Sequence, residues 1–146
     1  MNRKKKWLWI LVFAILVMAG CGKNRELELP ENPVKFVTYD FINPENAEDG
    51  YRVFDYEGRT YLPYGTLKTS LNDRDLSKCL GFVVQDEEEL KDVLVYSLKA
   101  DPEMNYLVMR DQGFMSQPTF LRAIDTLEKE IETPDYIQSL DYEYWE

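Results

Sequence analysis

Hydrophobic and polar positions divide the chain into an apolar leader, a polar connector and a stretch of short alternating runs. Trp7 to Ala19 is an unbroken apolar run of 13 residues. Gly22 to Pro33 is polar and holds two prolines. From Val34 onward the repeat is mostly two, the period of a strand with one buried face. In Val34–Ile42, positions Val37, Tyr39 and Phe41 share one face and Val34 and Phe36 the other. The runs Tyr51–Tyr56 and Arg59–Tyr64 flank Glu57-Gly58, which predicts a β-hairpin with a two-residue turn. Further strands are expected at Leu80–Gln85, Val93–Lys99, Asn105–Arg110 and Thr119–Ile124. Asp101-Pro102-Glu103 and Asp111-Gln112-Gly113 carry turn residues.

Helical signals are fewer. Leu67, Leu71, Leu76 and Leu80 allow one or two short turns between Leu67 and Leu80. The acidic stretch Asp86–Asp92 reads as a loop or a single helical turn. Thr133-Pro134-Asp135 has the order of a helix start, with N-cap, first-turn proline and first-turn acid. Tyr136, Ile137 and Leu140 would form that helix's apolar stripe. The expected fold is mainly β (β-rich α+β). It is a small antiparallel sheet or barrel of about seven strands with a short C-terminal helix.

The leader changes how the rest is read. Arg3, Lys4, Lys5 and Lys6 precede the apolar run and Cys21 follows it closely. A membrane-spanning helix needs roughly 20 apolar residues. Thirteen behind a cationic cluster fit the core of a signal peptide. Val17-Met18-Ala19-Gly20-Cys21 resembles a bacterial lipobox, with methionine where leucine is usual. That resemblance implies cleavage before Cys21, diacylation of its sulfur, and a protein held by lipid on the extracytoplasmic face of the cell membrane. Two acyl chains suffice for stable anchoring. The expected organisation is therefore a signal peptide (1–20), a lipidated N-terminus with a flexible tether (21–33), and a single extracytoplasmic domain (34–146).

Charge sharpens once the leader is set aside. The whole chain has 17 basic and 27 acidic residues and a formal charge of −10. Four basic residues lie before Cys21 and every acidic one after it, so 13 against 27 leaves −14 on the mature part. That balance opposes nucleic-acid binding, which needs a basic face for phosphates. All ten tyrosines remain in the mature part, a composition suited to a folded core.

Candidate chemistry is sparse. There is no histidine, which removes Ser-His-Asp and Cys-His catalysis and His-ligated metals. Two cysteines, one of them lipidated, build no zinc or iron–sulfur site. Cys79, beside an apolar run, reads as a buried small hydrophobe. Asp73, Asp75 and Ser77 match the start of a calcium loop, but Lys78 and Val84 stand where glycine and glutamate are required. The scattered glycines make no phosphate-binding loop. No catalytic residue and no cofactor is expected, and the chain reads as a non-enzyme.

Aromatic strands are the remaining feature. Tyr51, Phe54, Tyr56, Tyr61 and Tyr64 form either core or a binding surface. Tyr142, Tyr144 and Trp145 near the end admit the same two readings. The leader with a small acidic β domain resembles small lipoproteins of Gram-positive bacteria. Tyr51-x-x-Phe54-x-Tyr56-x-Gly58-x-x-Tyr61, followed by Cys79-Leu80-Gly81, is similar to segments of lantibiotic immunity lipoproteins. That resemblance implies a non-enzymatic domain that intercepts a cationic peptide at the cell's own membrane. The expected partners are the membrane, through Cys21, and a cationic peptide or basic protein surface. An accessory subunit of an envelope or secretion complex and a small hydrolase are the other classes.

Overall fold

A computed structural model describes residues 25–44, 46–113 and 117–140. Nine strands form one curled sheet: β1 (Val34–Val37), β2 (Tyr39–Ile42), β3 (Gly50–Tyr56), β4 (Arg59–Leu67), β5 (Leu76–Gln85), β6 (Glu88–Leu98), β7 (Tyr106–Asp111), β8 (Thr119–Ala123) and β9 (Ile137–Ser139). Their order is β1-β5-β6-β7-β8-β4-β3-β2, with β9 added to β4. The mainly β expectation holds, with nine strands in place of about seven.

The two ends of this ribbon are consecutive pieces of chain. The expected single strand Val34–Ile42 changes partner at Thr38. Before it, β1 runs parallel to β5, Val34 opposite Gly81; after it, β2 runs antiparallel to β3, Tyr39 opposite Val53. One segment thus nearly closes the sheet into a barrel, and the β1–β5 pair departs from the antiparallel rule expected. Thr38 fixes the changeover by donating its N–H to the Val84 carbonyl at 2.8 Å. Arg52 on β3 ties the seam to the β5–β6 turn through Asp86 at 3.1 Å, and to Asp40 at 3.1 Å.

Both faces of the central strands are buried. The enclosed face gathers Phe36, Phe54, Tyr61, Leu80, Val83, Val95, Leu107, Leu121 and Ala123, drawn from seven strands. Phe36 and Phe54 meet across the seam with ring centroids 4.7 Å apart. The outer face carries Leu76, Phe82, Leu94, Tyr96, Tyr106, Val108 and Phe120. It is covered by Leu27, Leu71, Ile131, Tyr136 and Ile137, which come from the connections and from β9. Burying each such side chain contributes roughly 1.5–3 kcal/mol. Burial on both sides explains the near-continuous apolar runs in β5 and β6. Leu27 lies in a 3-10 turn, Arg25–Leu27, within the expected tether, and that turn contacts β5.

Two expectations are corrected. The first is the C-terminal helix: Ile137–Ser139 is instead a strand, Leu67 opposite Ile137 and Gly65 opposite Ser139. The β4–β8 ladder stops at Gly65, so the rest of β4 offers backbone partners that a four-residue helix would lack. A Cβ on Gly65 would lie 2.8 Å from Ile137 Cγ2, so the bare glycine admits this strand. Thr133 caps no helix; its Oγ1 lies 2.8 Å from the Tyr106 hydroxyl. The second is the acidic stretch. Asp86-Glu87 is a two-residue hairpin turn, and Glu88–Asp92 is already β6: it pairs with β5, turns Leu90 toward the core, and leaves Glu88, Glu89, Lys91 and Asp92 exposed. The stretch Leu67–Leu80 holds one short turn, within the expectation: a 3-10 turn at Asp73–Asp75, after which β5 takes up Leu76 and Leu80.

Candidate functional site

The aromatic positions separate by depth. Phe54 and Tyr61 are each 1% exposed and belong to the enclosed core, which removes them from any surface. Tyr56 is half-buried, its ring 5.4 Å from Phe36. Tyr64 is half-buried on the outer face, 5.6 Å from the Tyr106 ring. Tyr51 is half-buried at the start of β3. Cys21, Tyr142, Tyr144 and Trp145 lie outside the described residues. Cys79 is buried, its Sγ 3.8 Å from the Gly81 carbonyl, and burial pushes the thiol pKa up.

A polar concavity lies elsewhere, where the β6–β7 connection faces the segment before β9. Ala100, Asp101, Pro102, Glu103 and Asn105 form one wall, and Glu130, Ile131 and Glu132 the other, around about 340 Å³. Four carboxylates line it and no basic side chain does. Among the described residues no three are grouped to hold a metal ion. The arrangement suits an organic cation, whose charge is spread and whose donors reach carboxylates at different heights.

Asp101 forms the floor, 5% exposed. Its Oδ2 accepts the Tyr106 N–H at 2.6 Å, and its Oδ1 accepts from Asn105 Nδ2 at 3.4 Å. Burial raises its pKa, and hydrogen bonding to the Tyr106 and Asn105 backbone opposes the shift. The loop turns tightly because Met104 takes φ +52°, a conformation costly for a residue with a Cβ. Neighbouring groups hold it there. The Tyr61 hydroxyl donates to the Met104 carbonyl at 2.7 Å, and burial pushes the Tyr61 pKa up to about 12. Arg59 Nη1 donates to the Glu103 and Met104 carbonyls at 3.1 and 3.0 Å. The charge of Arg59 is paired with Asp125, Nε to Oδ1 at 3.0 Å, which lowers the Asp125 pKa. Arg59 therefore braces the loop without joining the cleft's lining.

The opposite wall rests on Arg122. This β8 residue is 6% exposed, on the outer face beside Phe120. Its Nε donates to Thr126 Oγ1 at 3.0 Å, Nη1 to the Tyr64 hydroxyl at 2.8 Å, and Nη2 to the Thr126 and Lys129 carbonyls. The guanidinium lies 4.8 Å from the Tyr64 ring centre and 5.7 Å from that of Tyr106. Four neutral acceptors and two ring faces meet its charge. The chain is so fixed immediately before Glu130.

The sequence carries little local sign of this site. Asp101-Pro102-Glu103 registers only as a turn, and nothing local joins it to Glu130 and Glu132. Arg122 leaves one signal, a lone cation inside the apolar run Thr119–Ile124.

Fold and cleft together define a nearly closed, barrel-like β domain with an acidic concavity at one end. Comparison with known proteins found no match to this chain among family models, curated proteins or solved structures.

Proposed function

We propose that the protein is a non-enzymatic binding domain, anchored through lipid on Cys21 to the extracytoplasmic face of the membrane, that engages a cationic peptide or a basic protein surface. One observation carries the reading: Asp101, Glu103, Glu130 and Glu132 converge on one cleft that no basic residue lines. A lysine or arginine side chain matches it in charge. The −14 charge of the mature part supports the same partner by drawing cations in, an effect on association rate more than on final affinity.

Titrating a lysine- and arginine-rich peptide against the protein at rising salt tests this. Binding is expected at low ionic strength and should weaken steeply with salt. Joint substitution Glu103→Gln, Glu130→Gln and Glu132→Gln should weaken it about tenfold, or roughly 1.4 kcal/mol. No binding at low salt would end the proposal.

A further inference from the structure

The β2 strand ends the ribbon, and β3 is its sole strand neighbour among the described residues. Asn43 donates its N–H to the Asp49 carbonyl across that hairpin at 2.9 Å. Antiparallel ladders alternate, so Phe41 and Tyr39 also face β3, while Asp40 and Ile42 turn their N–H and C=O groups away. On that outer side Thr38 is occupied by Val84 of β5. The β5 strand then stops at Gln85 and turns back, so among the described residues the edge beyond Thr38 continues with no strand alongside it.

The surroundings say what would lie there. Val37, Tyr39 and Ile42 are 59%, 40% and 58% exposed. Asp40, Asp86 and Glu87 stand exposed around them, with Glu48 beyond the end of the strand. Arg52 is the cation among them, already shared between Asp40 and Asp86. An exposed apolar edge with an acidic border fits a basic, extended chain. A second copy of this protein would bring the same carboxylates against it.

We propose that the β2 edge accepts an extended, lysine- or arginine-bearing segment of a partner polypeptide as an added strand, paired through Asp40 and Ile42. The inference rests on the cationic-partner reading above and assigns it a second contact. The cleft lies at the Leu98–Tyr106 end of β6 and the β2 edge at the opposite, Asp86-Glu87 end.

The probe is an eight-residue peptide alternating lysine and valine, titrated at low salt against the full, lipid-bearing chain. Ile42→Pro removes one outward N–H and leaves the β2–β3 ladder its bonds. It should weaken binding at least about tenfold, the scale of losing such pairing, while Ile42→Ala weakens it less. The same peptide N-methylated at alternate residues should lose as much affinity for the unaltered protein. That arm decides the matter if Ile42→Pro perturbs the fold by circular dichroism. An alternating glutamate–valine peptide should not bind. Salt-sensitive binding indifferent to both Ile42→Pro and N-methylation would overturn the edge proposal and leave the cleft reading standing. Equal binding of the acidic peptide would also overturn it. Failure of every cationic peptide to bind would instead overturn the cationic-partner reading, and this inference with it.

Discussion

A side chain on Gly81 would collide with the carbonyl oxygen of Val34, because β1 runs directly over that glycine as it pairs with β5. The obstacle is backbone, which cannot rotate aside. Gly81→Ala should force β1 off β5 and cost about 2 kcal/mol or more, measured by urea unfolding. Phe36 should lose protection with it, since β1 carries Phe36 into the enclosed core. Unchanged stability would mean that β1 is not seated there.

Arg122 should not tolerate lysine. Its donors reach Thr126 Oγ1, two carbonyls and the Tyr64 hydroxyl from separate nitrogens, a spread that a single ammonium cannot span. Arg122→Lys keeps the buried charge and loses most of its partners. A loss of about 2–4 kcal/mol is expected, with faster proteolysis between Thr126 and Glu132. A near-neutral result would show that the cage is dispensable.

The two tight hairpins differ in one instructive way. Glu57-Gly58 and Asp86-Glu87 both have positive φ at both residues, +49° and +76° in the first, +50° and +69° in the second. Only the first places glycine in the second position. Glu87→Gly should relieve that strain and raise stability by about 1 kcal/mol, read as a higher urea midpoint with an unchanged slope. Asp86 is left in place because it pairs with Arg52.

Asp101 gives the protein a defined pH response. Burial raises its folded pKa, so the folded state favours the protonated acid. Its favourable contribution is complete below the ordinary aspartate range and is lost as pH rises through the raised value. Asp101→Asn keeps an oxygen for the Tyr106 N–H and removes the ionisation. Its stability relative to the unaltered protein should therefore improve from acid to neutral pH. Asp101→Ala leaves that N–H unpaired and should cost about 1–3 kcal/mol. If parallel urea titrations gave the same difference between the Asp101→Asn variant and the unaltered protein at every pH, the assignment would be contradicted.

Legibility in the sequence followed the range of the forces involved. The β3–β4 hairpin was readable because Glu57-Gly58 supplies its turn locally. The β5–β6 hairpin was harder, since its turn lacks glycine and its acidic arm looks like a loop until paired. The period-two signal fades in Leu80–Val84 and Val93–Leu98 because both faces are buried. Ile137–Ser139 was unreadable: three residues become a strand only because distant β4 has free edge beside Gly65. The cleft has the same origin. Asp101 and Glu130 are brought together by Arg59 and Arg122, whose roles depend on which carbonyls the fold brings within reach. The proposed position in the cell, by contrast, rests on a local signal, the lipobox-like Val17–Cys21.

Leu27, packed against the outer face beside β5, also governs how far the domain stands from its anchor. With Cys21 in the membrane as proposed, four peptide steps lead to Arg25, and an extended chain covers no more than about 14 Å over them. That leash is comparable to the roughly 8–10 Å over which charge is screened at physiological salt. The domain would then not roam the aqueous space. It would ride within the ionic atmosphere of the headgroups, tilted by its short mooring, where cations are already concentrated before any of them meets a carboxylate.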